Sequence, residues 1–385
     1  MSSDRTQWLL VALVFLAGLL AAAQFGKIAL TLPEVARTFA RPLTGVSVLV
    51  SLVGLVGLVF GAMAGGVAAG FGPGRTFLGG LVLGGVLSLV QVMPMPFWAF
   101  AATRVVEGMS HLALVVGGPP LMAAAASDRD RPLVMGLWAL FFGGSLAISA
   151  QVFPAILGTG GLALLFGLHG AAMLVLAAML WRRVRRIPRQ AVSLDPVATH
   201  AAIYSHLRRV APALGFVCYT FLFVACVAIL PEALSRPSLA FVLPLITLTT
   251  TLAGGALCRR FRPDAVVAAG FAGTALGLGG AALGLPGAVE AALAFMGLIP
   301  GASFAAIPAL NDTPQDRALA TGAIAQLGNL GTMSGTPVLA LVWVQWGTTT
   351  LICSAAASAC AGLAIALWTG RRLAGGRIDA GTRPR

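Results

Sequence analysis

Long apolar stretches recur along the whole of this 385-residue chain, and they leave few folds open to it. Twelve stand out, at approximately 7–32, 44–69, 75–92, 97–125, 133–157, 161–181, 210–230, 238–258, 265–285, 289–310, 318–343 and 347–369. Each is near the roughly 20 residues that cross a bilayer as a helix. Their length, and the absence of alternation within them, exclude a transmembrane barrel. Charged residues make up only 10% of the chain, against about 25% in a soluble domain. The expected fold class is therefore an all-α membrane protein with twelve transmembrane helices.

The formal charge of +13 invites a nucleic-acid reading, but its distribution opposes one. With the N-terminus in the cytoplasm, the inside loops collect Arg5, Arg75, Arg129, Arg131, Arg182, Arg183, Arg185, Arg186, Arg189, Arg208, Arg209, Arg259, Arg260, Arg262, Arg317 and the tail arginines. The outside loops hold only Arg37, Arg41 and Arg236. That bias sets orientation in a membrane. It predicts a multi-pass protein of the cytoplasmic (inner) membrane with both termini cytoplasmic, and no nucleic-acid partner. The opening run ends in Ala21, Ala22 and Ala23, like a signal-peptide cleavage site, yet it is too long for one and reads as the first span. The cysteines (Cys218, Cys226, Cys258, Cys353 and Cys360) lack CxxC spacing and indicate neither disulfides nor a zinc site.

The arginine-rich segment that begins at Arg182 is the one long break in the apolar pattern. It divides the chain into an N-terminal six-helix bundle at 1–190, a cytoplasmic linker at 191–209, a C-terminal six-helix bundle at 210–370 and a cytoplasmic tail at 371–385. A repeat crosses that boundary. Asp130-Arg131 precedes Gly136 at the same spacing as Asp316-Arg317 precedes Gly322, with the two pairs 186 residues apart. Two halves matched in this way are a parallel repeat about an axis along the membrane normal.

The loop from Gly65 to Arg75 reads GGVAAGFGPGR. It resembles the signature loop of the major facilitator superfamily, roughly G-x-x-x-D-R-x-G-R-R, and Gly65, Gly72 and Arg75 match it. Ala69 and Gly70 replace the family's aspartate and first arginine, which removes the aspartate of its cytoplasmic charge lock. The equivalent loop after the eighth run keeps Arg259 and Arg260. In the fourth run, Arg104-x-x-Glu107-Gly108 resembles the family's R-x-x-Q/E-G motif, whose arginine is associated with proton coupling. Gln24-Phe25-Gly26-Lys27 with Leu32-Pro33, and Gly136-Leu137-Trp138, resemble the cyanate/nitroimidazole-type branch. The Gly-Pro-x-x-Gly-Gly signature of drug/proton antiporters is missing from the fifth run. The resemblance implies two six-helix bundles around a central cavity, lined by runs one, four, seven and ten. It also makes Gly65, Gly72, Arg75, Asp130, Arg131, Asp316 and Arg317 gating-loop residues.

Lys27 is the chain's single lysine, and it lies inside an apolar run. A charge at that depth costs several kcal/mol unless compensated. At 1.5 Å per residue, Lys27 lies about 9 Å from the outer end of its run and Arg104 about 10 Å from the outer end of the fourth. Glu107 and His111 follow Arg104 one and two turns deeper on the same helix face, and Gln24 lies one turn below Lys27. Two readings stand side by side. Lys27 either snorkels to the outer interface, or it joins Arg104 in a low-dielectric site with Glu107. Arg104 with Glu107 can likewise be a purely structural pair, and His111 a packed histidine. His169 reads as structural. The functional reading makes Lys27, Gln24 and Arg104 substrate ligands, and Glu107, Arg104 and His111 the proton-coupling residues. The second half offers Tyr219, Phe304, Gln326 and Asn329 as a neutral, partly aromatic wall.

These features predict a secondary active transporter. It moves a small organic solute, leaning anionic, by alternating access and with protons as coupling ion. It needs no cofactor or metal, and it is monomeric in the lipid bilayer. A proton/drug or metabolite efflux antiporter is the alternative, and a non-transporting membrane sensor a remote one. No G-x-x-x-x-G-K-[ST] loop is present to bind nucleotide. His111, His169, His200 and His206 are not spaced for a metal, which argues against an enzyme.

Overall fold

The computed structural model describes residues 5–127, 129–130, 134–135, 137–138, 140–184 and 195–381. Among these every regular element is an α-helix: α1 (Trp8–Ala29), α2 (Leu32–Phe39), α3 (Leu43–Phe71), α4 (Pro73–Val90), α5 (Phe97–Ala125), α6 (Phe141–Val184), α7 (Pro196–Tyr204), α8 (Leu207–Ala233), α9 (Leu239–Leu257), α10 (Pro263–Ala282), α11 (Ala288–Leu310) and α12 (Pro314–Gly381). Ten of them are long and apolar enough to cross a membrane. In such a solvent the backbone must satisfy its own hydrogen bonds, and helices do so within one segment.

Two of the ten are longer than a single crossing. In α6 (44 residues) and α12 (68 residues) two helices meet at a glycine. Gly161 has φ +61° and Gly347 φ +81°, a conformation glycine adopts without Cβ strain. The joins fall where the apolar runs at 133–157 and 161–181, and at 318–343 and 347–369, abut. Gly72, with φ +94°, makes the equally tight passage from α3 to α4. Prolines open helices where their missing N–H is harmless: Pro73 in α4, Pro196 in α7 and Pro263 in α10.

Three expected boundaries differ. The first run does not continue to residue 32: α1 stops at Ala29, the Thr31 hydroxyl donates to the Lys27 carbonyl at 2.6 Å, and α2 follows with Pro33 in its first turn. The segment 191–209, expected to be a linker, contains α7, whose Asp195 cap accepts from Ala198 N at 3.0 Å, and the first residues of α8. The tail beyond 370 carries α12 on to Gly381.

The chain divides into two compact units, Met1–Leu194 with Ser238–Pro244, and Asp195–Pro237 with Leu245–Arg385. In the first unit, Gln7 N donates to the Ala125 carbonyl at 2.8 Å, so the start of α1 meets the end of α5. Gly74 lies so near Val184 that a Cβ would come within 1.8 Å of its carbonyl oxygen, so α4 begins where α6 ends. The core between α1, α4, α5 and α6 includes Val14, Ala17, Phe77, Leu81, Leu114, Leu121, Met122 and Met173. In the second unit, Asn311 Nδ2 donates to the Arg208 carbonyl at 3.1 Å and Arg209 Nε bonds Asp316 Oδ1 at 2.8 Å, joining the start of α8 to the end of α11 and the start of α12. At the opposite end Thr348, just past the Gly347 turn, donates to the Ala233 carbonyl at 3.1 Å. Lipid tails are as apolar as leucine, so close packing and polar contacts hold such helices together. Glycine is the means: a Cβ at Gly108 would come within 2.4 Å of the Val53 carbonyl oxygen.

Candidate functional site

Lys27 lies in the last turn of α1 and has no solvent exposure. It does not snorkel. Its ammonium pairs with Glu107 Oε1 at 2.6 Å and donates to Gln91 Oε1 at 2.8 Å and Ser88 Oγ at 3.0 Å. An ammonium has three N–H donors; here Gln91 and Ser88 accept hydrogen bonds and Glu107 Oε1 is the ionic partner. The Phe166 ring lies 5.0 Å from Nζ, within cation–π range.

Arg104 and Glu107, on α5, are as fully buried as Lys27. The guanidinium donates through Nη1 to Glu107 Oε2, through Nε to the Leu49 carbonyl at 3.1 Å and through Nη2 to the Gln24 carbonyl at 2.6 Å. It therefore ties α5 to α1 and α3. Glu107 is shared between two cations, and Gln91 Nε2 adds a third donor at 3.0 Å. Gln91 thus accepts from Lys27 with one end of its amide and donates to Glu107 with the other, while also donating to Thr103 Oγ1 at 3.0 Å. Two cations and one carboxylate leave a net charge of +1 inside the unit. Each ion is hydrogen-bonded, as burial of charge requires.

Gln24 sits beneath, donating to Ser110 Oγ at 2.8 Å, and Ser110 passes the bond to the Gly80 carbonyl at 2.7 Å. Gln24 Oε1 is buried without a hydrogen-bond partner among the described residues. Gly84 makes room for this contact, since a Cβ there would lie 2.4 Å from Ser110 Oγ and 2.6 Å from Gln24 Nε2. His111, one turn past Glu107, turns elsewhere. Its Nδ1 donates to the Ala21 carbonyl at 2.9 Å and its ring meets Phe25 edge-on at 4.8 Å.

Four members of this network were not expected. Ser88 and Gln91 lie on one face of α4 and its end, Thr103 and Ser110 on α5; Ser88 and Gln91 bond the charged groups directly, Ser110 bonds Gln24, and Thr103 bonds Gln91. His169, expected to be merely structural, contacts Ser88 Oγ through Nδ1 at 3.1 Å and the Leu20 carbonyl through Nε2 at 3.0 Å. Ser88 and Gln91 carried a legible signal: polar residues three apart in an otherwise apolar run.

The second unit holds the remaining candidates, in separate surroundings. Tyr219 is buried between Phe216 (5.3 Å) and Phe223 (5.5 Å), and Phe304 meets Phe216 edge-on at 5.7 Å. Gln326 bonds the linker helix, accepting from Tyr204 OH at 2.9 Å and meeting His200 Nε2 at 2.9 Å. Asn329 folds back on its own helix, donating to the Ala325 carbonyl at 2.7 Å. The loop residues divide similarly. Gly65 lies within α3, Gly72 forms the α3–α4 turn, and Arg75 is exposed on α4. Asp130 accepts from Thr6 Oγ1 at 2.5 Å, Asp316 pairs with Arg209 at 2.8 Å, and Arg317 Nε donates to the Asn311 carbonyl at 2.9 Å. Arg131 and Gly136 lie outside the described residues. Among the described residues no cluster of His, Cys, Asp and Glu could hold a metal ion.

Solved structures share this fold, two transporters among them. The xylose transporter XylE from E. coli, in a partially occluded inward-open conformation, matches with a TM-score of 0.70 at 15% identity, over 94% of this chain and 98% of its own. The human organic anion transporter MFSD10 (TETRAN) matches with a TM-score of 0.66 at 18% identity, over 93% of this chain and 98% of its own. No curated protein matches the chain in sequence. The family model described as Major Facilitator Superfamily matches residues 14–245, more than half of the chain. A buried ionic network on apolar helices, this fold and that match together identify the chain as a multi-pass membrane transporter belonging to the major facilitator superfamily.

Proposed function

We propose that this transporter is a secondary carrier that moves a small organic anion together with a proton by alternating access. The observation that carries the reading is one carboxylate, Glu107, buried between two cations, Lys27 and Arg104. While Glu107 is ionised it occupies both cations and the cluster holds a charge of +1. A proton on Glu107 raises that charge to +2 and frees donors on Lys27 and Arg104. An anionic substrate can then take the place of the carboxylate. In a low-dielectric site the attraction between unit charges is several times that in water, so proton and anion favour each other's binding. Gln91 contacts both Lys27 and Glu107, and so positions the two groups that exchange partners.

The rest of the reading follows the superfamily plan. Ten long helices, two of them bent at Gly161 and Gly347, supply twelve crossings as two six-helix bundles, with both termini cytoplasmic and the carrier monomeric. The Asp130-Arg131 and Asp316-Arg317 loops are the gates, with Gly65, Gly72 and Arg75. Gln24 belongs to the substrate site and His111 to the proton site of the first unit, and Tyr219, Phe304, Gln326 and Asn329 are the substrate contacts of the second. The resemblance of Gln24 to Lys27 and of Gly136 to Trp138 to the cyanate/nitroimidazole-type branch supports that branch for the carrier. The solved relatives carry a sugar and organic anions, which supports a small organic solute.

The test is uptake of a panel of small organic anions, neutral solutes and cations into proteoliposomes with an imposed pH gradient. Anion uptake that follows the proton gradient is expected, together with Glu107→Gln exchange that no longer responds to the gradient. Gradient-driven extrusion of cationic drugs would replace this reading with the efflux antiporter, and binding without flux would replace it with a sensor.

A further inference from the structure

At the end of the first unit where α1 begins and α6 ends, a groove of about 470 Å³ opens between Gln7, Trp8, Leu9 and Leu10 on one side and Arg182 and Arg183 on the other. It lies apart from the buried ionic network, whose members on α1 are in the last two turns. Both arginines are exposed, and among the described residues neither has a carboxylate partner. Arg183 Nη1 donates to the Met179 carbonyl at 2.8 Å, which draws its side chain back along α6. Asp130 is bonded by Thr6 Oγ1, next to Gln7 in sequence, at 2.5 Å. In sequence, Arg185, Arg186 and Arg189 follow Arg183.

The level of the groove matters as much as its charge. It lies where two membrane-crossing helices reach their ends, at the boundary between hydrocarbon and water. Trp8, on the α1 wall, and Trp181, next to Arg182 in sequence, are 50% and 49% exposed. Indole rings collect at the headgroup level because they are apolar bodies with one polar N–H. Leu9, on the α1 wall, is 59% exposed, which suits an acyl chain and not water. A soluble anion would use the arginines but gain nothing from these apolar groups.

We propose that this groove binds the phosphate of an anionic phospholipid headgroup, with Arg182 and Arg183 on the phosphate and the Trp8 and Leu9 side against the glycerol and upper acyl chain. Guanidinium groups match phosphate geometry through paired N–H donors, and basic pockets between helices at the membrane surface take such headgroups.

The experiment is native mass spectrometry of the full chain in detergent, with phosphatidylglycerol, cardiolipin or phosphatidylcholine added. Glycerol 3-phosphate in separate samples provides the same phosphate without acyl chains. The anionic lipids should remain bound and phosphatidylcholine should not. Arg182→Gln with Arg183→Gln should weaken retention by about tenfold or more. Arg371→Gln with Arg372→Gln, an equal loss of charge on the second unit, should leave retention as it was, and thermal unfolding in detergent checks that both variants are folded. Equal retention by the Arg182/Arg183 variant, equal loss with the Arg371/Arg372 variant, or no preference for anionic lipid overturns the proposal. Binding of glycerol 3-phosphate at a concentration comparable to that of the lipids overturns it in favour of a soluble phosphate ligand.

Discussion

Removing Glu107 should be far more damaging than removing Lys27, although the two are partners in one ion pair. Glu107→Gln keeps the shape of the side chain but leaves Lys27 and Arg104 buried side by side with no counter-charge. It also turns an amide N–H toward one of two groups that can only donate. Leaving buried charge uncompensated costs about 3–5 kcal/mol. Lys27→Met leaves Glu107 neutralised by Arg104, but takes the ion partner from Glu107 Oε1 and removes the donors to Ser88 and Gln91. Two acceptors without donors cost about 1–3 kcal/mol, part of which methionine packing offsets. The double variant keeps Arg104 alone, with the net charge of the original cluster, so its cost should fall below the sum of the singles by about 2 kcal/mol. The assay is thermal unfolding of the purified protein in detergent, followed as a double-mutant cycle. Glu107→Gln should lower the midpoint by about 5–10 °C, Lys27→Met by less, and the cycle should show coupling. A Lys27→Met variant less stable than Glu107→Gln, or singles that simply add, would refute the account of Glu107 as the shared counter-charge.

Two further outcomes test the packing around the site and the second unit. Gly84→Ala places a Cβ within 2.6 Å of both Ser110 Oγ and Gln24 Nε2. It should cost about 1–3 kcal/mol by overpacking, visible as a lower unfolding midpoint, and Gly79→Ala on the same helix, where nothing lies within 4 Å, should not. Tyr204→Phe deletes the 2.9 Å bond to Gln326. With Tyr204 44% exposed, the loss should be at the low end of a hydrogen bond, about 0.5 kcal/mol, and faster amide exchange in α7 than in α8 should mark where it falls.

Much of the fold is legible in the chain because a bilayer imposes one rule, a helix of fixed minimum length for each crossing. Apolar run length is therefore nearly the whole signal, and even the bends at Gly161 and Gly347 fall where two runs abut. Helix ends differ from the apolar runs where local chemistry competes with the run. Thr31 and Pro33 end α1 early, and Asp195 with Pro196 starts a helix in a segment that reads as linker.

The site was legible in depth and not in direction. Counting residues from a helix end places Lys27 and Arg104 at one level, because the rise of a helix is constant. It says nothing of which way each helix is rotated about its own axis, and so it left Lys27 free to snorkel. Rotation is settled by packing, through close approaches such as Gly84 against Gln24 and Gly108 against Val53. That packing turns Lys27 onto Glu107, sets Ser88 of α4 and Gln91 at its end beside the pair, and directs Gln326 toward α7. Composition and run length dictate a helical membrane protein with ions at a shared depth. Which ions meet depends on helix azimuth, a property of neighbouring surfaces that no single run encodes.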